Sequence, residues 1–121
     1  METVTVENAL IVVLKSFNYP VFRQGSLAED EPYPHTFITW WNRSEEGVSF
    51  YDNKTTRVSY IYDVNVYSID VETSYNLLRE IRTALKVSGW VMQDRGHDIA
   101  SDEITHTGRG MTILYNENEE E

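Results

Sequence analysis

The sequence predicts an α+β fold: a mainly antiparallel sheet with two helices packed on one face. Three observations carry that expectation. Val6, Ala9, Leu10, Val13, Leu14 and Phe17 recur at helical spacing. Residues 58–68 alternate in period two, which is the pattern of a strand with one buried face. After Asp70 a second helical stripe begins, and Gly89 closes it.

Thr3 or Thr5 can cap the first helix, and Glu7 falls near the positive end of its dipole. Pro20 bars continuation and biases Tyr19 away from helical angles. Ile11 and Val12 widen the apolar stripe beyond one face, so this helix calls for more than one neighbour, a second subunit among them. Residues 21–23 are a short strand. Residues 24–35 gather Gly25, Pro32, Pro34 and the run Glu29-Asp30-Glu31, the composition of a surface loop. Residues 36–42 (TFITWWN) alternate and use the β-branched and aromatic types that strands favour. Residues 43–57 are polar and broken by Gly47 and Asp52-Asn53, which fits a long hairpin arm or a loop. Insertions of that length in small domains commonly carry function.

In residues 58–68, Val58, Tyr60, Tyr62, Val64 and Val66 share one face; Ser59, Ile61, Asp63, Asn65 and Tyr67 share the other. Asp70 suits the N-cap of a helix reaching about Ser88, with Val71, Ser74, Leu78, Ile81 and Leu85 inward and Leu77 and Ala84 beside them. Gly89 fits the left-handed position after that helix, and Trp90 the apolar contact that follows it. Residues 90–92 read as a strand, residues 93–110 as turns or irregular pairing, and residues 110–116 as a last strand with Met111, Ile113 and Tyr115 on one side. The expected organisation is one domain over residues 1–116 and a frayed acidic tail over 117–121.

Composition narrows the function. The chain has 121 residues, 40% hydrophobic and 12% aromatic, and a formal net charge of −10. Enough apolar surface is present for one core, while the acidity opposes non-specific binding to nucleic acid or an anionic membrane. There is no cysteine, so thiol nucleophiles, thiolate metal sites and disulfides are all excluded. No apolar run approaches the roughly 20 residues a bilayer span needs, and no secretory leader pattern opens the chain. The expectation is a soluble, cytoplasmic protein.

Chemical motifs are sparse. No Ser stands in a G-x-S-x-G elbow, and Ser101, Asp102 and a nearby His are a combination that any polar loop offers. His97, Asp98, Asp102, Glu103 and His106 could ligate a cation, but their spacing matches neither H-E-x-x-H nor an EF-hand. The bland alternative is a polar loop with His106 hydrogen-bonded locally. Gly108-Arg109-Gly110 lacks the helix and lysine of a phosphate cradle and reads as a tight strand entry. What remains is aromatic surface. Trp40 and Trp41 are neighbours in a strand and must face opposite ways. Aromatics on both sheet faces point to a self-associating or partner-binding module.

The segments PVFRQGSLAEDEPYPHTFITWWN, YDN and VSYIYDVNVYSID, a helix ending in KVSGW, and ASDEITHTGRGMTILY together carry a resemblance. In that order they resemble the tail terminator (tail-completion, minor tail) proteins of siphophages and prophages of Gram-positive bacteria, and the order is similar in the lambda tail terminator. The resemblance implies a non-enzymatic structural protein with no cofactor and no metal. It implies a homo-oligomer, a hexameric ring in the virion even where the isolated subunit is monomeric. Its implied partners are the major tail tube protein and the head–tail connector or neck proteins. The implied location is the virion tail and neck, after assembly in the bacterial host's cytoplasm. DNA would pass the lumen without specific binding. Ring contacts are expected at Ile11, Val12, Trp40 or Trp41, and Tyr67; Arg43, Lys54 and Arg57 are expected to meet the tail tube or a neighbouring subunit. The alternatives are a head-closure or neck connector protein, an enzyme using His97, Asp98 and His106, and a monomeric module that binds a host protein.

Overall fold

The computed structural model describes residues 3–24, 32–51 and 54–118, the side chains of 48–51, 54–56 and 118 excepted. In chain order the elements are α1 (Thr3–Lys15), β1 (Val21–Arg23), β2 (Thr36–Tyr51), β3 (Lys54–Ser68), α2 (Val71–Val87), β4 (Val91–Met92), β5 (His97–Ile99) and β6 (Thr107–Asn118). They form an α+β fold of two helices and a mixed, mostly antiparallel six-stranded sheet. The strand order is β1-β2-β3-β6-β4, with β5 also pairing to β6. Among the described residues only the β1–β2 pairing is parallel.

Both helices lie on one face. Val6, Leu10 and Leu14 of α1 and Leu78, Ile81 and Leu85 of α2 join Trp40, Tyr62, Val64, Met111 and Ile113 in one core. Alternation in β3 is realised as expected, with Tyr60, Tyr62, Val64 and Val66 inward and buried. Tyr62 stands at the centre. Its ring meets Trp90 edge-on at 5.8 Å and tilts against Trp40 at 6.3 Å, and its hydroxyl accepts from Asn42 Nδ2 at 3.2 Å.

Helix α2 starts and stops as its sequence indicates. Asp70 accepts hydrogen bonds from the Glu72 N–H at 3.2 Å and the Thr73 hydroxyl at 2.8 Å. At the other end Gly89 takes φ +96°. The Gly89 N–H bonds the Lys86 carbonyl at 3.2 Å and the Trp90 N–H bonds that of Leu85 at 3.0 Å. That is the pair of contacts of a Schellman ending, and it drives Trp90 into the core. Val71 departs from the expected inward stripe. It is exposed, at the rim of an open hollow that it shares with Asp98 and Gly108.

Four further expectations are corrected. Thr3 and Thr5 lie within α1 and do not precede it; the Thr3 hydroxyl instead donates to Glu45 of β2 at 2.6 Å. The first turn of α1 holds no acidic residue, and the Glu7 carboxylate sits beside the Tyr62 phenol. Residues 97–99 are a regular strand, and β6 begins at Thr107, because β5 pairs with the strand's early residues. At its far end β6 runs to Asn118, since β3 offers Val58 and Arg57 as partners, so the tail boundary at 116 falls inside a strand. The acidic run 29–31, the turn 52–53 and the last three residues lie outside the described residues.

The Tyr62 phenol is held well above the ordinary tyrosine range, by burial first and by the Glu7 carboxylate second. The folded chain therefore keeps this proton more tightly than the unfolded chain does. The associated stability is fully present below about pH 10 and is lost as pH rises beyond it. Urea melts across pH 8–11 are expected to show the midpoint falling on the alkaline side. Tyr62→Phe is expected to flatten part of that fall, at a cost near neutrality of about 1 kcal/mol from the lost Asn42 bond.

Candidate interaction surfaces

The sheet face away from the helices carries two hollows, one lined by Phe22, Tyr33 and Phe37 and one nearer the hairpin. Around one end the chain covers its own aromatics. Phe37 stacks on Tyr67 with centroids 5.1 Å apart, and Tyr33, Phe22 and His106 close edge-on around Phe37 at 5.4, 6.0 and 5.9 Å. The cluster is fastened by His106, whose Nε2 lies 2.8 Å from the Pro34 carbonyl and whose Nδ1 lies 2.9 Å from the Thr105 hydroxyl. Burial first, and the Asp102 carboxylate among other neighbours, hold the phenols of Tyr67 and Tyr33 above their ordinary range.

Towards the hairpin the same face is open. A hollow of about 550 Å³ there is lined by Trp41, Arg43, Asp63, Asn65 and His97, among others. A β-bulge shapes it. Asn42 pairs with Tyr62 and Ser44 with Ile61, which leaves Arg43 as the extra residue. The bulge inverts the alternation of β2, so Glu45, not Ser44, returns to the helix side, where Thr3 meets it. Arg43 reaches Asp63 instead, Nε to Oδ2 at 3.1 Å, and Asp63 Oδ1 accepts from the Thr112 hydroxyl at 2.8 Å. The Arg43 side chain is more than half exposed, so this pair contributes only about 0–1 kcal/mol.

The expected contact residues divide clearly. Trp41 is 44% exposed while Trp40 is 7% exposed and part of the core, so of the two only Trp41 offers a ring to a neighbour. The Arg23 guanidinium lies 5.4 and 5.6 Å from the two indole centroids, near enough to attract both. Tyr67 offers little surface, being 8% exposed and stacked on Phe37, though it lines the wall of the same hollow as Trp41. Ile11 packs against the core of its own chain, whereas Val12 is 70% exposed. Val12 rims a second, mainly apolar hollow of about 320 Å³ on the helix side, walled by Ala9, Trp90 and Tyr115. Residues 43–51 and 54–57 form the paired arms of a hairpin. Arg57 is exposed, and strand parity puts it on the outer face with Trp41; the Lys54 side chain lies outside the described residues.

The segment suspected of metal chemistry is dispersed. His97 Nδ1 lies 3.1 Å from Asp94 Oδ2, Asp98 binds Arg109, and His106 is committed to the aromatic cluster. Among the described residues no three such side chains gather as a ligand set. Among them, too, no helix is long and apolar enough to cross a membrane. Neither protein-family models nor curated proteins give a match to this chain.

Gly108-Arg109-Gly110 lies inside a strand, and its glycines serve close packing. A Cβ on Gly108 would stand 2.6 Å from Ile99 Cγ1 and 2.8 Å from the Ile99 carbonyl oxygen. Gly108→Ala is therefore expected to lower the urea-unfolding free energy by about 1–3 kcal/mol. Hydrogen exchange should quicken most in β5, the strand that must shift.

Proposed function

We propose that this protein is a structural tail-completion subunit, a tail terminator. It assembles with its own copies into a ring at the head-proximal end of a phage tail tube and prepares the tube for head joining. One observation supports the reading above others: a single small domain carries two unlike, accessible surfaces on opposite sides of its sheet. One is the open outer face with Trp41, Arg43 and Arg57; the other is the apolar hollow rimmed by Val12. A ring closed by rotation needs such a pair, because each copy offers one surface forward and a different one backward. The resemblance of the ordered segments to tail terminators points the same way.

The hairpin suits the contact with the tube. Beyond the pairing of Arg57 with Asn118, β2 and β3 continue with each other alone, among the described residues, to Tyr51 and Lys54. That is about 10 Å of two-stranded ribbon beyond β6. In this reading the protein acts through assembly without catalysis. Its partners are the tail tube protein and the neck proteins, and its net charge of −10 lets DNA pass the lumen without sticking.

The test is electron microscopy of purified protein mixed with tail tubes from a phage that lacks its terminator. Tube ends are expected to acquire a ring. Trp41→Ala and Val12→Asp, both at exposed positions, are expected to keep the fold within about 0.5 kcal/mol and to abolish capping. Replacing residues 48–56 by a short turn should leave the fold intact and also abolish it. Capping by all three variants at the level of the parent protein, or attachment to DNA-filled heads and not to tubes, would sink the proposal.

A further inference from the structure

A different part of the surface gathers positive charge. The chain has ten Lys and Arg residues against twenty Asp and Glu, yet Arg79, Arg82, Arg95 and Arg109 line one small hollow, with Tyr75 and Leu78 as its walls. Tyr75, Leu78, Arg79 and Arg82 recur at spacings of three and four and so form one stripe of α2. Arg109 comes from β6 and Arg95 from the segment between β4 and β5.

The hollow is built. Arg109 is held in place twice: Nη1 bonds Asp98 Oδ1 at 3.0 Å, and its guanidinium lies 4.6 Å from the Tyr75 ring centroid. The Tyr75 hydroxyl donates to the same Asp98 oxygen at 3.3 Å. Gly96, at φ +128°, backs the hollow, where a Cβ would crowd Leu78 Cδ2 at 3.1 Å and just touch Arg109 Nε and Nη2 at 3.4 Å. Arg79 donates to Asn76 Oδ1 at 2.7 Å. Arg82 is the exception. Its Nε is buried and has no hydrogen-bond partner among the described residues. Of the four guanidinium groups only that of Arg109 is paired with a carboxylate among those residues. Like charges drawn together around one hollow are costly, and an anion held there offsets that cost.

We propose that this hollow binds a single phosphate group, as inorganic phosphate or as a phosphate monoester. Its volume of about 170 Å³ equals the space of roughly five or six waters, enough for one oxyanion and its remaining hydration. The arginines that line it come from three separate elements, a helix, a strand and a loop. That suits a tetrahedral group with several oxygens better than a planar carboxylate with two. A duplex backbone is disfavoured by the confined hollow and by the acidic remainder of the chain.

Calorimetry at constant ionic strength tests this with inorganic phosphate, methyl phosphate and chloride, alongside a short DNA duplex. One saturable site per chain is expected for either phosphate and none for chloride; which of the two binds more tightly tells the free group from the esterified one. Arg82→Gln and Arg95→Gln are each expected to weaken binding about tenfold or more, and Lys15→Gln to leave it unchanged. Should Arg82→Gln fail to fold, the exposed Arg95 carries the same test. The proposal is overturned if neither phosphate saturates, if Arg95→Gln binds as the parent does, or if the duplex binds through these arginines without competition from phosphate.

Discussion

The register of β3 is the constraint on which the rest of the molecule depends. This strand has a partner on each side, β2 and β6, and pairs with both from Arg57 to Ser68. Its inward residues Tyr60, Tyr62, Val64 and Val66 are at most 3% exposed. A slip of one residue would send all four to the open face and bring Asp63 and Asn65 under the helices, so the alternative pairing is heavily penalised. Once β3 is set, its neighbours follow. Trp40 opposite Val64 and Met111 opposite the same residue turn inward, and Trp41 opposite Asp63 turns outward. The two helices then have one place to rest, the side where Tyr62 meets Trp40 and Trp90.

The bulge at Arg43 is the one point where β2 leaves that discipline, and it serves both faces. Before it, odd-numbered residues of β2 face outward; after it, Glu45 faces the helices and accepts the Thr3 hydroxyl. Alternation alone puts Trp41 and Arg43 at the same outer hollow, and the extra residue makes Glu45, not Ser44, the acceptor returned to α1. Bulges also twist an edge and spoil it as a template for further strands. From Trp41 onward β2 has no neighbour on its second side among the described residues. A bulged edge of this kind favours side-chain contacts over simple strand addition, in keeping with Trp41 and Arg43 as the groups it offers.

Much of the frame was legible in the sequence, because periodicity reports a face and caps report an end. The stripes of both helices apart from the exposed Ala9 and Val71, the alternation of β3, the Asp70 cap and the Gly89–Trp90 ending rest on local rules that the structure obeys. What stayed hidden needed distant partners. Adjacency says that Trp40 and Trp41 face opposite ways, but only pairing with β3 decides which is buried. Alternation places Tyr67 on the outer face; that Phe37 stacks on it, itself closed in by Tyr33 and His106, follows from chain segments far apart in sequence. Residues 43–57 read as a loop as readily as a hairpin because a polar stretch broken by Gly47 and Asp52-Asn53 displays no clear hydrophobic alternation. The arginine hollow was half visible, as Arg79 and Arg82 share a helix stripe, yet Arg95 and Arg109 join them only in the fold.

Net charge and local charge do different work here. Copies carrying −10 each repel one another, but that repulsion decays over about 8 Å at physiological ionic strength. Contacts in the proposed ring must therefore be won at short range, where apolar area counts and the half-exposed Arg43–Asp63 pair adds little. Trp41 on one side and Val12 on the other meet that requirement, since neither loses strength when salt screens the charges. The arginine hollow obeys the opposite logic. Its charges lie well inside one screening length of one another, so the acidity of the whole chain does not cancel them and a nearby anion does. Raising salt should then tighten association between copies while weakening whatever the arginines hold, and two such opposed responses from one small domain separate an apolar surface from an electrostatic one.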